Sequence, residues 1–173
     1  MSEENRLEPW LRGTHGDVHP VPRAVLHALE LAGEDAQKWC GELSDAEINA
    51  RPHGIAPVAF HLRHIVRSAD RLLTYMEGGS LSDAQMAALK TELDGKATAS
   101  EIFREFEEGS RDCAKRIRRL EVSTLADERN VGRQRLPTTV GGLLVHVADH
   151  TQRHVGQAIT TAKIVRSMRK PGA

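Results

Sequence analysis

Three of the chain's nine histidines, His146, His150 and His154, stand at four-residue intervals in the stretch HVADHTQRHVGQ, residues 146–157. A helix turns ~100° per residue, so side chains four apart lie almost above one another. Two imidazoles one turn apart, half sunk in an apolar face, can bite a single metal ion. The element that must carry them runs over residues 137–167. Leu136-Pro137-Thr138-Thr139 opens it, with a proline near the first turn and threonines able to cap. Lys170-Pro171-Gly172 stops it. With Val140 as zero, Leu143, Leu144, Val147, Thr151, Ala158, Ala162 and Val165 fall within roughly 60° of one line and form the core stripe. His146, His150, Gln157 and Thr161 make an arc along one edge of it, and His154 lies inside the stripe.

A second helix repeats this layout from Pro57 to Glu77, ended by Gly78-Gly79. Its stripe is Val58, Leu62, Ile65, Ala69, Leu72 and Met76, edged by His61, Ser68, Tyr75 and, at the outer margin, His64. Arg63, Arg67, Asp70 and Thr74 read as its solvent face. Period alone makes His61 the more inward of the two histidines. A lone histidine on an apolar face is usually a hydrogen-bonded core residue. Five along the core-facing edges of two helices would be costly to bury without a shared partner. Three neutral imidazoles and one open position are the donor set of a catalytic zinc site, and imidazole also suits nickel, copper and iron.

Two further long helices complete the set. One opens at Val21-Pro22 and repeats Val25, Leu29, Ala32, Ala36, Trp39 and Leu43; His27 points away from that seam. The other starts at Thr98, capped with Glu101, along the seam Ile102, Phe106, Gly109, Cys113, Ile117 and Leu120. Glu105, Asp112 and Arg116 flank this seam, and salt-bridged helix edges are the plainer account of them. Capping boxes at Ser44…Glu47 and Ser82…Gln85 mark two short helices, the second over residues 83–92. Residues 121–136 read as a polar loop, with no β-alternation anywhere. Residues 1–19 read as an N-terminal arm anchored by Trp10, with His15 and His19 as surface or packing residues; 20–167 form the bundle and 168–173 a tail. His53, in the turn Arg51-Pro52-His53-Gly54, reads as a solvated loop residue. Four amphipathic helices predict an all-α four-helix bundle, a class that builds metal sites between facing helices. The connection between the second and third long helices is long enough to cross such a bundle.

Lys+Arg and Asp+Glu both total 24 in a chain of 173 residues, so no charge excess argues for nucleic acid or a membrane surface. Cys40 and Cys113 sit on apolar helical faces and read as buried, reduced thiols. With no signal peptide or spanning segment after the polar start, the expectation is a cytoplasmic protein acting on a small molecule, with a homodimer left open.

The motifs FHLRHIVRSADRLLTY and HVADHTQRHVGQ resemble the DinB/YfiT-like metalloenzymes, over roughly residues 20–167. The resemblance implies a bundle of up-down-down-up topology holding one divalent metal, zinc or nickel first. It places one ligand on the second long helix, before an aliphatic residue and four ahead of a small or hydroxyl one, which is His64 before Ile65 and Ser68. The other two are the H-x-x-x-H pair ahead of Gly-Gln, His150 and His154. Family pattern and periodicity thus differ over His64 and His61. His61 and His146, with Ser68, Tyr75 and Gln157, are then residues that orient the ligands or line a pocket. The chain departs from the common form HHRGQ, carrying Arg153 and Val155 where a histidine and an arginine are usual; the ligands stay intact but substrate contacts do not carry over. The resemblance implies metal-dependent transfer of a low-molecular-weight thiol (bacillithiol, mycothiol or glutathione), with isomerases and hydrolases also represented. The ion would hold the thiolate while His61, His146, Tyr75 or Gln157 positions the electrophile. No obvious carboxylate base stands beside the ligands, which favours thiolate over water activation, although Glu105 or Asp112 could come from the third long helix. Arg133-Gln134-Arg135 could attract an anionic thiol, a solvated loop being the plainer reading. The alternative function is a non-catalytic metal-binding bundle, serving stress response or partner binding.

Overall fold

The computed structural model describes residues 7–169. It is mostly helical: α1 Pro20–Cys40, α2 Asp45–Ile48, α3 Val58–Met76, α4 Asp83–Lys90, α5 Ala99–Arg118 and α6 Val140–Ser167. The four long helices pack in pairs, α1 and α3 each against both α5 and α6. Three short or long helices start where a reciprocal cap satisfies the orphan N–H groups of the first turn. Ser44 with Glu47, Ser82 with Gln85 and Thr98 with Glu101 each make both bonds of a capping box.

The buried side chains form two clusters stacked along the helices. One gathers Ala36, Cys40, Leu62, Ile65, Phe106 and Val155; the other gathers Leu26, Leu73, Cys113, Ile117, Leu144 and Val147. Between Val147 and Val155, α6 passes from one cluster to the other, and His150 and His154 occupy that interval. On α5 the same crossing is made at Gly109. A Cβ there would stand 2.6 Å from Val66 Cβ, so the glycine is what lets α5 approach α3 so closely. The second buried residue on the α3 stripe at its far end is Leu73, fully buried, whereas Leu72 is only partly so.

The expected loop over 121–136 is instead partly ordered. Glu128–Val131 (β1) pairs antiparallel with Leu136–Thr139 (β2), register Glu128 to Thr139. The turn uses positive φ at Gly132 (70°) and Arg135 (50°). Glu-Arg-Asn-Val and Leu-Pro-Thr-Thr carry no clean apolar alternation, so a period-2 search passes over them. The hairpin displaces the start of the last helix from 137 to Val140, with Pro137 in β2. Thr139 Oγ1 accepts from Gly142 N–H at 3.0 Å, and the Asp127 and Leu125 carbonyls accept from Val140 and Gly141.

The arm also differs from expectation. Trp10 is 61% exposed and bonds only its neighbour Glu8, while Pro9 is the buried residue there. His27, off the α1 seam, is 7% exposed rather than solvent-facing, with Thr14 of the arm at 3.0 Å from its Nε2. His15 lies against Glu30, and His19 caps α1 through Nδ1. Residues 1–6 of the arm and 170–173 of the tail lie outside the described residues. No described helix is long and apolar enough to cross a membrane.

Candidate metal centre

His64 from α3 and His150 and His154 from α6 each bring one ring nitrogen to within 4.8 Å of the other two. The ring centroids lie 4.5 Å (His64–His154), 4.5 Å (His150–His154) and 4.9 Å (His64–His150) apart. Helix geometry supplies the pair on α6, since a separation of four residues stacks their side chains on one edge. His64 Nε2 and His150 Nε2 stand 3.2 Å apart. Two nitrogens bound tetrahedrally at ~2.0–2.1 Å are separated by about 3.3 Å, so the spacing suits a small divalent ion with little movement.

What orients His64 is a residue the sequence motifs do not contain. Glu92, only 5% exposed, accepts from His64 Nδ1 at 2.6 Å and from Arg71 Nη1 at 2.9 Å. With its proton held on Nδ1 by that carboxylate, His64 presents a bare Nε2 to His150. This is the carboxylate–histidine arrangement that fixes tautomer and raises ligand basicity. The expectation that no carboxylate stands near the ligands is therefore corrected. Neither Glu105 nor Asp112 supplies one: Glu105 pairs with Arg67 (2.6 Å) and Arg63 (3.2 Å), and Asp112 is exposed beside Lys115.

Glu92 reaches the site because the end of α4 and the segment after it are clasped by arginines of α3. Arg67 Nη1 donates to the Ala88 carbonyl (2.7 Å) and to Thr91 Oγ1 (3.0 Å), and Arg63 Nη1 donates to the Asp94 carbonyl (2.8 Å). Asp70 and Thr74, also expected on a solvent face, bond Gln85 of α4, and Asp70 takes Arg116 of α5 at 2.6 Å. The supposed outer face of α3 is a half-buried polar seam. A hollow of about 560 Å³ opens along it, lined by Arg63, Arg67, Arg104 and Glu105, away from the histidines.

The remaining expected residues divide. His61, 5% exposed, sets Nδ1 3.0 Å from Nδ1 of His154, which leaves His154 Nε2 for an ion. Phe60 stacks on His64 at 5.1 Å with a 19° tilt and meets His61 and His154 edge-on. His146 stays outside: exposed, with its ring 5.4 Å from that of His150 and its Nδ1 3.8 Å from Asp149. Gln157 is exposed, Ser68 is buried without a bond to the triad, and Tyr75 packs against the far core cluster, some ~16 Å along α3 from His64. Arg133 and Arg135 are exposed at the hairpin, ahead of a helix in which His150 lies about 15 Å from the start.

Burial pulls the imidazoles of His61, His150 and His154 down to about 4, helped by repulsion from neighbouring imidazoles. Imidazole nitrogens crowded around one point are the donors a divalent metal takes, and the residues of the cluster fit one. Burial also lifts the thiols of Cys40 to about 11 and Cys113 to about 12, so neither is a nucleophile at neutral pH.

No curated protein and no solved structure matches the chain. The model of the DinB superfamily matches residues 28–158, a span that takes in all three histidines of the cluster together with Glu92, and the chain belongs to that superfamily.

Proposed function

We propose that His64, His150 and His154 hold one divalent metal, zinc or nickel, and that the chain is a metal-dependent enzyme of the thiol S-transferase type. The single observation that carries the metal reading is the convergence of three ring nitrogens, one of them aimed by a buried carboxylate. The four long helices would follow the up-down-down-up order. An ion bound there would supply Lewis acidity and a coordination position at which a low-molecular-weight thiol is held as thiolate near neutral pH. Glu92 keeps the proton of His64 on Nδ1. His61, neutral and buried, accepts from His154 Nδ1–H and so turns the lone pair of Nε2 inward. Phe60 fills the space beside His64 and His154 and excludes water from that side.

The position of Glu92 favours thiolate over water activation. It sits behind His64, on the nitrogen away from the cluster, and so is placed to orient a ligand rather than to take a proton from water. Neither cysteine of the chain competes as the thiol. The balanced net charge fits a small-molecule substrate rather than nucleic acid or a membrane surface.

Elemental analysis of wild type, His64→Ala and His150→Ala is the test. Each substitution should cost one equivalent of metal per chain, and unchanged content in both would refute the ligand set. Conjugation assays with several low-molecular-weight thiols, run on metal-loaded protein, then separate the enzyme from the metal-binding bundle without turnover. Hydrolysis without thiol transfer would replace the transferase reading.

A further inference from the structure

A second group of ligating side chains lies where the N-terminal arm crosses α1. His15, His27 and Glu30 each bring a ligand atom within 4.8 Å of the other two, with no ion-pairing role for them in the first site. His15 Nε2 is 2.5 Å from Glu30 Oε1, and the His15 and His27 rings are 5.3 Å apart. His27 and Glu30 are three residues apart on α1, one turn, so both point toward the arm. Thr14 Oγ1, 3.0 Å from His27 Nε2, steadies that ring.

Two features of the arm bear on what holds it there. Pro9 is buried and Val18 packs against the core, but Leu7, Trp10 and Leu11 are all exposed. Yet His15 is kept in the left-handed region at φ 56°, a conformation that costs free energy for a non-glycine residue and persists only where the surroundings over-determine it. Between Pro9 and Val18 the attachment is polar, through Arg12 to Glu34 and His15 to Glu30.

We propose that His15, His27 and Glu30 form a second divalent-cation site, for a zinc-type ion, which clips the arm to α1. Two imidazoles and a carboxylate are a common zinc donor set, with water completing the tetrahedron. Loading replaces the proton between His15 Nε2 and Glu30 by the ion and puts a proton on His15 Nδ1, where Arg118 now donates. Arg118 must then turn away, and the carboxylate of Asp17, 3.5 Å from its other terminal nitrogen, is the partner available to it. The ion would join the arm to the helix on which it lies, so ordering of the arm becomes metal-dependent.

Equilibrium dialysis of the full chain against micromolar zinc tests this, together with tryptic cleavage after Arg12. Wild type should take two ions, the pair of variants His150→Ala/His154→Ala one, His27→Ala/Glu30→Gln one, and zinc should slow cleavage in the first two but not in the third. Should the His27 variant fail to fold, His15→Ala, which leaves the core untouched, should also hold one ion and lose the protection. An arm variant that keeps the wild-type number of ions overturns the site. One ion in wild type, lost on changing His150 and His154, refutes the arm site alone; one ion lost only on changing the arm refutes the three-histidine centre instead.

Discussion

At the scale of single residues, the chemistry of the site depends on where protons are held. His64 can offer Nε2 only while its proton stays on Nδ1, and the buried carboxylate of Glu92 is what keeps it there. Glu92→Gln preserves size but removes the charge, and a neutral amide has no preference that enforces the same tautomer. Loss of such a partner usually costs 10–100-fold in metal affinity. Zinc affinity measured by competition with a chelator should therefore fall about tenfold or more in Glu92→Gln, with helical content unchanged; equal affinity would mean that Glu92 serves only to neutralise Arg71. The histidine spacing on the last helix was open to a reader of the sequence, because a separation of four stacks His150 and His154 one turn apart. Glu92 was not, because it follows a short helix and its partner is 28 positions back in the chain. Period also ranked His61 as more inward than His64, and it is the more buried, yet it reaches His154 rather than the gap between the α6 pair and α3. Burial and convergence are different properties, and a helical wheel reports only the first.

At the scale of elements, starts and stops were written locally and could be read. Each capping box involves residues three apart, so Ser44, Ser82 and Thr98 declare their helices without reference to the rest of the molecule. The hairpin before α6 has no such local signature, since its register is set by pairing and its strands lack alternation. Arg63, Arg67 and Asp70 misled for a related reason: charge on a helix face signals water unless another element supplies partners, and here α4 and α5 supply them. Gly109, within the apolar seam of α5, is the sequence trace of a close helix pair. Gly109→Ala gains helix propensity of up to about 1 kcal/mol but drives a Cβ against Val66. Overpacking of this kind costs about 1–3 kcal/mol, so the net change should be destabilising, with a lower urea midpoint at unchanged slope. A midpoint at or above that of wild type would show that α5 can move off α3 freely, and with it the clasp that delivers Glu92.

At the scale of the whole molecule, the histidine cluster interrupts the core where its two apolar clusters meet, and this makes stability depend on pH and metal together. The imidazoles of His61, His150 and His154 titrate near 6.5 in an unfolded chain and near 4 in the folded one. The unfolded state thus binds more protons between those values, and stability must rise with pH across that window. The contribution is complete above 6.5 and is lost progressively as pH falls toward 4, below which both states are protonated and the slope flattens. Metal-free protein, prepared with chelator, should accordingly show a melting temperature that is level from pH 8 to 7 and falls steadily from 6.5 to 4. Metal-loaded protein should melt higher throughout the upper range, because an ion that binds only the folded state adds stability by mass action. Its advantage should shrink on the same descent, as protons compete for the ring nitrogens. Replacing His61 by Gln removes one titrating group and keeps an oxygen able to accept from His154 Nδ1–H, so the metal-free slope should become shallower while a metal-loaded increment remains. A melting temperature indifferent to pH between 6.5 and 4 would mean that the imidazoles of His61, His150 and His154 are as well solvated in the folded chain as in the unfolded one, and their desolvation at the core would have to be abandoned.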